Sequence, residues 1–423
     1  MHPLRTAVLG GIAAAVAFSA PFVQEGGERL LSDRDMSKLS RELTDWFTAL
    51  EERKGRLDAE EGLRKELDKI NSKKLKDRNL LSSPSDLGQL IYLGNDYAKK
   101  QPRRGAGKIS MRQLDGGKRG TVDYAAWFPA KYRPKDGPYR VIITIPEEGE
   151  NPEQHIQENW VDGANRDKSI IVAPKMPGDA TTWASGDGIR AVMLSFRGVI
   201  ETFAVDFDRI YIGGRGRGGE TAVAIANMFP DRFAGAFSWS GDAGEGIPAE
   251  NLAHVPVYVS GGGANATALQ ERAKEAGIET VTLDPGGGET EILGWMDGVQ
   301  RKAYPDSIKL IPGAPFPTGA YWVQIPALAD PEGASIEATA DRETNTITLN
   351  ATGITEATIY LCDGIVDLDK PVTVIANGQK SVDQFSRSFR QFLNLLETGR
   401  VDPGRVFVAS KQYSFQTVEE SDG

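Results

Sequence analysis

A run of four glycines within residues 214–219 is the part of this sequence best suited to chemistry. It reads Gly-Arg-Gly-Arg-Gly-Gly, between an apolar run at 209–213 and a helical pattern at 220–228. The spacing Gly-x-Gly-x-x-Gly between a strand and a helix matches the dinucleotide-binding fingerprint, and Asp242 follows the next apolar run, roughly where a ribose-binding carboxylate would lie. Several predicted strands precede the loop, however, whereas a dinucleotide loop follows the first strand. Nucleotide binding is therefore the less favoured alternative.

Two arginines in this loop suggest a second kind of site. Arg215 and Arg217 flank Gly216 at a predicted helix N-terminus, where free backbone N–H groups already favour anions. A phosphate, sulfate or carboxylate could bind there. Alternatively, Glu147 or Glu148 could neutralise the arginines. Arg215, Arg217 and Glu147 are therefore candidate ligand-binding residues, and both interpretations remain open.

The residues before this loop divide into two regions of different pattern. Residues 26–112 are highly charged, with a capping-box-like start at Ser32 and Asp35 and a second helix predicted from Asp86 to Lys99. We expect a helical hairpin that packs on the main domain. From residue 113 to 304, short apolar runs alternate with helical stretches, which predicts a mostly parallel sheet covered by helices on both faces. The predicted strands are Val141–Ile145, Ser169–Val172, Arg209–Gly213, Ala234–Ser240, Val257–Ser260 and Thr280–Leu283.

Residues 305–423 show strand alternation instead. Asn377-Gly378 is a hairpin turn signal, and a single helix is predicted over 382–396. This pattern indicates a small antiparallel β domain at the C-terminus.

Residues 207–242 carry a resemblance to a known family. Three segments occur in order: Asp208-Arg209-Ile210-Tyr211, then Pro230-Asp231-Arg232-Phe233-Ala234, then Ser240-Gly241. Together with Asp206 at the first position of the opening pattern, they resemble the strand, elbow, helix and strand of the α/β-hydrolase superfamily, in its secreted esterase and polyhydroxybutyrate-depolymerase-like branch. The resemblance extends more weakly from about Tyr124 to Tyr304, and it implies an α/β-hydrolase fold.

The resemblance also implies a catalytic triad, which this sequence lacks. The elbow should carry a nucleophilic serine, but Gly216 occupies that position. The turn is usually strained and has positive φ, which glycine tolerates at little cost. Asn265 lies near the position of the acid and Glu289 near that of the base, and Glu147 stands in the loop that should form the oxyanion hole. A carboxylate there would repel a developing oxyanion.

The remaining histidines and serines do not restore the triad. The chain has three histidines, His2, His155 and His254; none is at the family's base position, and we expect His155 and His254 to be surface or capping residues. Three serines near strand ends, Ser238, Ser240 and Ser260, are candidate non-standard nucleophiles.

Bulk composition limits the partners and the compartment. The 423 residues carry a net charge of −10, with 40% hydrophobic and 26% charged residues and one cysteine, so we expect a globular protein without nucleic-acid partners or intrachain disulfides. Residues 1–25 have a positive Arg5, an apolar run and an Ala15-Val16-Ala17 site, which predict a signal peptide. Membrane attachment is expected only if this leader is not cleaved.

These observations predict an exported α/β-hydrolase-fold protein without nucleophile, base or acid, which binds a small molecule, carbohydrate or peptide or serves a structural role. No cofactor or metal is predicted. The alternatives are an active esterase or peptidase with a non-standard site and, less favoured, a nucleotide- or anion-binding protein that uses residues 214–219.

Overall fold

The computed structural model of the chain describes residues 29–415, except 77, 101–104, 118–119, 162–167, 179, 314–317, 330–331 and 399–401. The predicted leader at 1–25 lies outside the described residues. Within the described part of the chain, no helix has both the length and the apolar character needed to cross a membrane.

The N-terminal region is helical. It contains α1 (Asp33–Glu52), α2 (Arg56–Ile70), α3 (Pro84–Gly94) and α4 (Tyr97–Lys100). The side chain of Ser32 accepts a hydrogen bond from the backbone N–H of Asp35 at 3.2 Å, which confirms the predicted start of α1. The helix predicted over 86–99 is instead two helices, because Asp96 adopts a positive φ of 46° between them.

An eight-stranded sheet follows, and it confirms the predicted mostly parallel α/β architecture. Its order is β1-β2-β4-β3-β5-β6-β7-β8, with antiparallel pairing only from β1 to β2 and from β2 to β4. The central strands are apolar on both faces, as strands covered on both sides must be. The bounds are β1 Ser110–Asp115, β2 Thr121–Trp127, β3 Tyr139–Ile145, β4 Ser169–Pro174, β5 Val205–Arg215, β6 Gly235–Trp239, β7 Val257–Val259 and β8 Val281–Leu283.

Five helices in the described part of the chain cover this sheet. They are α5 (Pro152–Asn159), α6 (Gly186–Thr202), α7 (Arg217–Met228), α8 (Ala264–Glu275) and α9 (Glu289–Asp297). Val192, Val223 and Leu269 of α6, α7 and α8 lie in one hydrophobic cluster, whereas Ile156 of α5 and Leu293 of α9 lie in another. The two clusters use alternate residues of the same strands, such as Val141 and Ile142 of β3, so they occupy opposite faces of the sheet.

Two smaller sheets form the C-terminal region. One has the order β10-β11-β14-β17 and the other β16-β15-β13-β12-β9. The bounds are β9 Ser307–Leu310, β10 Gly319–Ala320, β11 Val323–Leu328, β12 Ser335–Asp341, β13 Thr346–Thr352, β14 Ile354–Leu361, β15 Val372–Ala376, β16 Gln379–Asp383 and β17 Ala409–Ser414.

Two details of this region differ from the sequence prediction. The pairing of β13 with β15 is parallel, because the chain passes through β14 in the other sheet before it returns. Helix α10 spans Phe389–Glu397 and begins later than predicted, since Val382 pairs with Thr373 in the β15–β16 hairpin. The turn of that hairpin is Asn377-Gly378, as predicted, with φ of 44° and 79°.

The N-terminal helices and the C-terminal sheets share one hydrophobic core. Leu39 and Trp46 of α1 belong to the same buried cluster as Ile336, Leu349 and Phe392. The expectation that the helices pack on the main domain was therefore wrong for α1–α3, whose buried apolar residues belong to a cluster shared with the C-terminal region. Only α4 among these helices is tied to the α/β domain by a described side-chain hydrogen bond, from Tyr97 to the carbonyl of Ile200 at 3.3 Å. The α/β domain is inserted between the two parts of this composite unit.

Buried charges join the composite unit to the α/β domain. Arg301 donates to Asp208 at 2.8 Å and to Asp402 at 2.9 Å, and Arg405 pairs with Asp231. Burial alone would raise the pKa of Asp231, but the charges of Arg405 and Arg232 outweigh it and lower that pKa to about 2. Asp208 and Asp231 belong to the segments that carry the family resemblance, and here they bind arginines that hold the C-terminal region.

Candidate functional site: the β5–α7 elbow

The glycine-rich run forms a sharp turn at the carboxyl end of β5. Gly216 has φ 53° and ψ −125°, which confirms the predicted positive φ. Its N–H donates to the carbonyl of Trp239 at 2.9 Å, and its own carbonyl accepts from the N–H of Gly219 at 3.0 Å. A residue with a side chain held in this conformation would cost about 1–3 kcal/mol, so glycine is the residue the backbone favours here.

The neighbouring glycines allow close packing. A Cβ atom placed on Gly218 would lie 2.2 Å from the carbonyl oxygen of Ile145, and one on Gly219 would lie 2.4 Å from Ser238 Oγ. Both positions need glycine because α7 approaches β3 and β6 closely. Helix packing therefore explains these two glycines of the dinucleotide-like pattern without a bound phosphate.

Glu147 reaches the space next to Gly216. A Cβ atom on Gly216 would lie 2.6 Å from Glu147 Oε1 and 3.1 Å from its carboxyl carbon. The Glu147 residue is exposed, and its backbone N–H donates to Glu150 Oε2 at 2.9 Å. The loop after β3 therefore places a carboxylate where a side chain at position 216 would begin.

Arg215 and Arg217 have protein partners. Arg215 Nη1 donates to Asn159 Oδ1 at 2.9 Å, and its guanidinium lies 5.8 Å from the ring centroid of Trp239. Arg217 Nη1 lies 3.2 Å from Glu148 Oε2 on the surface. The neutralising interpretation thus holds for Arg217, whereas Arg215 binds an amide and an aromatic face.

His155 occupies a buried network beneath this site. Its Nε2 lies 2.8 Å from Thr144 Oγ1 and its Nδ1 lies 2.9 Å from Glu150 Oε2, while its carbonyl accepts from Asn159 at 2.9 Å. Burial would raise the pKa of Glu150, but the hydrogen bond and the charge interaction with His155 outweigh this and lower it. The prediction of a surface or capping histidine was wrong here, because α5 turns His155 onto the face of β3.

This network contains a hydroxyl, an imidazole and a carboxylate in the order used by serine hydrolases. Thr144 and His155 are each only 1% exposed, however, and a nucleophile must reach a substrate carbonyl. What the arrangement does in this structure is attach α5 and the β3–α5 loop to the sheet. Sequence reasoning missed it because Thr144 looked like an ordinary strand residue.

His254, the other histidine among the described residues, lies at the amino ends of the parallel strands. His254 precedes β7, and its Nε2 lies 2.7 Å from the carbonyl of Ser307. Burial lowers the pKa of His254. Its position at the amino end of a parallel strand separates it from the elbow, which lies at the carboxyl end.

The residues assigned near the acid and base positions make local contacts. The backbone N–H of Asn265 donates to Asp242 Oδ2 at 3.2 Å, and that of Ala266 donates to Asp242 Oδ1 at 2.6 Å. Asp242 therefore caps α8, whose own N-cap residue is a glycine, and its carboxylate is already occupied rather than free for a ribose. Glu289 Oε2 accepts from the N–H of Val161 at 3.3 Å.

The candidate serines are not paired with an imidazole within the described residues. Ser238 Oγ is fully buried and has no hydrogen-bond partner there. Ser260 Oγ accepts from the N–H of Ser240 at 3.1 Å, and Ser240 is exposed with a positive φ of 52°. The structure therefore brings these serines close to one another but gives none of them an imidazole partner among the described residues.

Comparison with known proteins gives similarity of fold. No family model and no curated protein matches the sequence. A thermostable esterase is similar with a TM-score of 0.40 and 18% identity, over 47% of this chain and 64% of the esterase, just under two thirds of its length. S-formylglutathione hydrolase (FrmB) from Staphylococcus aureus is similar with a TM-score of 0.36 and 10% identity, over 44% of this chain and 98% of that chain.

The poly(3-hydroxybutyrate) depolymerase LpqC from Bordetella parapertussis is similar with a TM-score of 0.34 and 15% identity, over 46% of this chain and 91% of that chain. The strand order, the parallel pairing and the helices on both faces define the domain by themselves. The central domain of this chain has an α/β-hydrolase-like fold, similar to the folds of esterases and other hydrolases.

Proposed function

We propose that this protein is an exported, non-catalytic member of the α/β-hydrolase-like group that acts by binding or as a structural component. The observation that carries the proposal is the pairing of Gly216 with Glu147. A Cβ at position 216 would lie 2.6 Å from the Glu147 carboxylate oxygen. The residue at the position that the family resemblance assigns to the nucleophile is a glycine, and the carboxylate of Glu147 lies in front of it.

The chemistry of acyl transfer explains why this arrangement does not support hydrolysis. A serine nucleophile needs a base within hydrogen-bond distance, and one oxyanion-hole donor contributes about 3 kcal/mol of transition-state stabilisation. A carboxylate beside the elbow opposes the negative charge that would develop on the substrate. His155, which could act as a base, is already bound to Thr144 and Glu150.

The proposed ligand is a small molecule, carbohydrate or peptide that contacts the elbow beside Gly216. Arg215, stacked against Trp239 and bound to Asn159, offers a cation held in one orientation, and Arg217 and Glu147 flank it. A ligand that contacts Arg215 would bind more weakly to the Arg215→Ala variant.

Activity-based labelling tests the proposal. The purified protein should not react with a fluorophosphonate probe and should not hydrolyse a p-nitrophenyl ester above the uncatalysed rate, while an active esterase labelled in parallel serves as the positive control. Gly216→Ser, alone or with Glu147→Ala to make room, should also stay unlabelled, because His155 is already bound to Thr144 and Glu150 and His254 lies at the other end of the strands. Stoichiometric labelling of a serine in the wild-type protein would overturn the non-catalytic proposal.

One observation favours a second candidate function. Thr144, His155 and Glu150 form a hydroxyl–imidazole–carboxylate series with contacts of 2.8 and 2.9 Å. If esterase activity is found, Thr144→Val should abolish it and Ser240→Ala should preserve it. The reverse pattern would point to Ser240 instead.

Export is proposed from the leader. Residues 1–25 fused to a reporter that is active only outside the cytoplasm should produce signal, and the mature protein should begin near Ala17. A full-length protein retained in the cytoplasm would contradict this part of the proposal.

A further inference from the structure

The buried network around His155 extends to one side of the elbow through Glu150. Glu150 Oε2 lies 2.9 Å from His155 Nδ1 and also accepts from the backbone N–H of Glu147 at 2.9 Å. The carbonyl of Glu147 accepts in return from the N–H of Glu150 at 3.0 Å. One carboxylate oxygen therefore connects the imidazole to the residue whose side chain lies in front of Gly216.

The same histidine is connected to the other side of the elbow through Asn159, one turn further along α5. Asn159 Nδ2 donates to the carbonyl of His155 at 2.9 Å and lies 3.3 Å from His155 Nδ1. Asn159 Oδ1 accepts from Arg215 Nη1 at 2.9 Å. Asn159 is 4% exposed, whereas Arg215 is exposed, so a buried amide holds the end of a cation that a ligand can reach.

The ring of His155 fixes both connections because it is buried between α5 and β3. The residue is 1% exposed, and its Nε2 lies 2.8 Å from Thr144 Oγ1. Thr144 is paired with Gly213 of β5, the strand that leads into the elbow. A buried polar atom that loses its partner destabilises the fold, so the ring has one favoured position. Glu150 and Asn159 are both placed relative to that ring.

The charges around Glu150 support the same connection. Burial alone would raise the pKa of Glu150, but the hydrogen bond and the charge of His155 lower it, and the charge of Arg215 acts in the same direction. Glu150 is therefore ionised at neutral pH, and an ionised oxygen is the stronger acceptor for the N–H groups that it meets. Arg215 and Glu150 lie on different sides of the elbow, so charge links these sides as well as hydrogen bonds.

We propose that His155 and Glu150 are positioning residues of the ligand-binding elbow, which hold Glu147 in front of Gly216 and keep Arg215 in one orientation. The proposal rests on the proposed function, in which a ligand contacts Arg215. A side chain that is already ordered loses less conformational entropy when a ligand binds. The network therefore prepares both sides of the elbow before the ligand arrives.

Effects between residues that share no described hydrogen bond test this role in the full-length protein without ligand. His155→Phe should speed exchange of the Glu147 N–H with water about fivefold or more, and Glu150→Ala should speed exchange of the Arg215 guanidinium protons by a similar factor, as the loss of one hydrogen bond predicts. Both are measured by nuclear magnetic resonance. Glu153→Ala removes a carboxylate from the first turn of the same helix and should leave both reporters unchanged.

A pH profile gives a readout that a general structural role would not move. The chemical shift of the Glu147 N–H follows the ionisation of Glu150, because the two groups share a hydrogen bond. The midpoint should lie below the ordinary glutamate range in the wild type and should rise in His155→Phe, where burial is no longer opposed by the imidazole. If His155→Phe does not fold, Glu150→Ala still provides the test at Arg215, since the Glu150 side chain is 24% exposed.

The outcomes separate this proposal from the proposed function. Wild-type exchange at either reporter in a folded variant, an unchanged midpoint in His155→Phe, or faster exchange throughout the chain would each overturn the positioning role. Fluorophosphonate labelling of the wild type would instead overturn the non-catalytic function, and the effects at Glu147 and Arg215 would stand as measured.

Discussion

The buried arginine that links the α/β domain to the C-terminal region gives the sharpest test of how this protein is held together. Arg301 is 2% exposed and Asp402 is 3% exposed, whereas Asp208 is 29% exposed. Arg301 also donates to the carbonyl of Asp231 at 3.1 Å. The perturbation is Arg301→Met, which keeps much of the volume and removes the charge and the donors.

The expected magnitude follows from the group left behind. Breaking a buried ion pair by removing one partner costs about 3–5 kcal/mol, because the remaining charge stays desolvated. Here Asp402 keeps a weaker partner in Arg405 at 3.9 Å, and the partly exposed Asp208 can turn to water. We therefore expect a loss near the lower end of that range, about 3 kcal/mol. Removing both charges in Arg301→Met/Asp402→Leu should restore part of it.

Urea unfolding at neutral pH, followed by tryptophan fluorescence, measures this loss. Arg197→Met is the matched control, because Arg197 pairs with Glu201 at 2.6 Å and both side chains are exposed; a surface pair of this kind contributes about 0–1 kcal/mol. Equal losses for the two variants would refute the reasoning. So would an Arg301→Met variant that unfolds within 1 kcal/mol, roughly, of the wild type, since breaking a buried pair should exceed a surface one.

Other expectations concern pH, the elbow and the shared core. Burial and the neighbouring Asp208 raise the pKa of Asp206 to about 6, so ionisation of Asp206 destabilises the fold as the pH rises through that value. Asp206→Asn should therefore add about 1–3 kcal/mol of stability at pH 7.5 and little near pH 4. Equal gains at both pH values would contradict this. The pKa of Asp231 is lowered to about 2, so the ionised carboxylate stabilises the fold at pH values above the ordinary aspartate pKa. In acid unfolding curves this stabilisation should disappear as the pH falls from about 4 towards 2. The Asp231→Asn variant should not show this loss. Gly216→Ala should lower the free energy of unfolding in urea by about 1–3 kcal/mol. Gly262→Ala should lower it less, because a Cβ on Gly262, which has φ 72°, would meet no atom within 4 Å. A smaller loss at Gly216 than at Gly262 would mean that a side chain does not strain the backbone at Gly216. Trp46→Ala should lower the free energy of unfolding by about 3–5 kcal/mol and speed hydrogen exchange in β12 and β13 of the C-terminal sheets. Faster exchange confined to the N-terminal helices would argue against a shared core.

Much of the fold was predictable from local pattern. The apolar runs of β3 and β5 predicted a sheet covered on both faces, and Asn377-Gly378 predicted its hairpin. A positive φ was expected at Gly216 and is found at 53°. Each of these features depends on residues within a few positions of one another, because side-chain periodicity and turn geometry are properties of short segments.

The contacts that decide the site were not predictable in the same way. Glu147 lies beside Gly216, and His155 lies between Thr144 and Glu150, only because β3 and β5 are neighbours in the sheet and α5 packs on one of its faces.

The N-terminal helices give the strongest example. Their amphipathic pattern required a covering surface, and the sequence alone determined that much. Which surface covers them depends on residues that are distant in the chain, since burial favours any apolar face equally and only the tertiary arrangement selects one. The core shared by Trp46 and Ile336 and the buried pairing of Arg301 with Asp402 were decided by that arrangement.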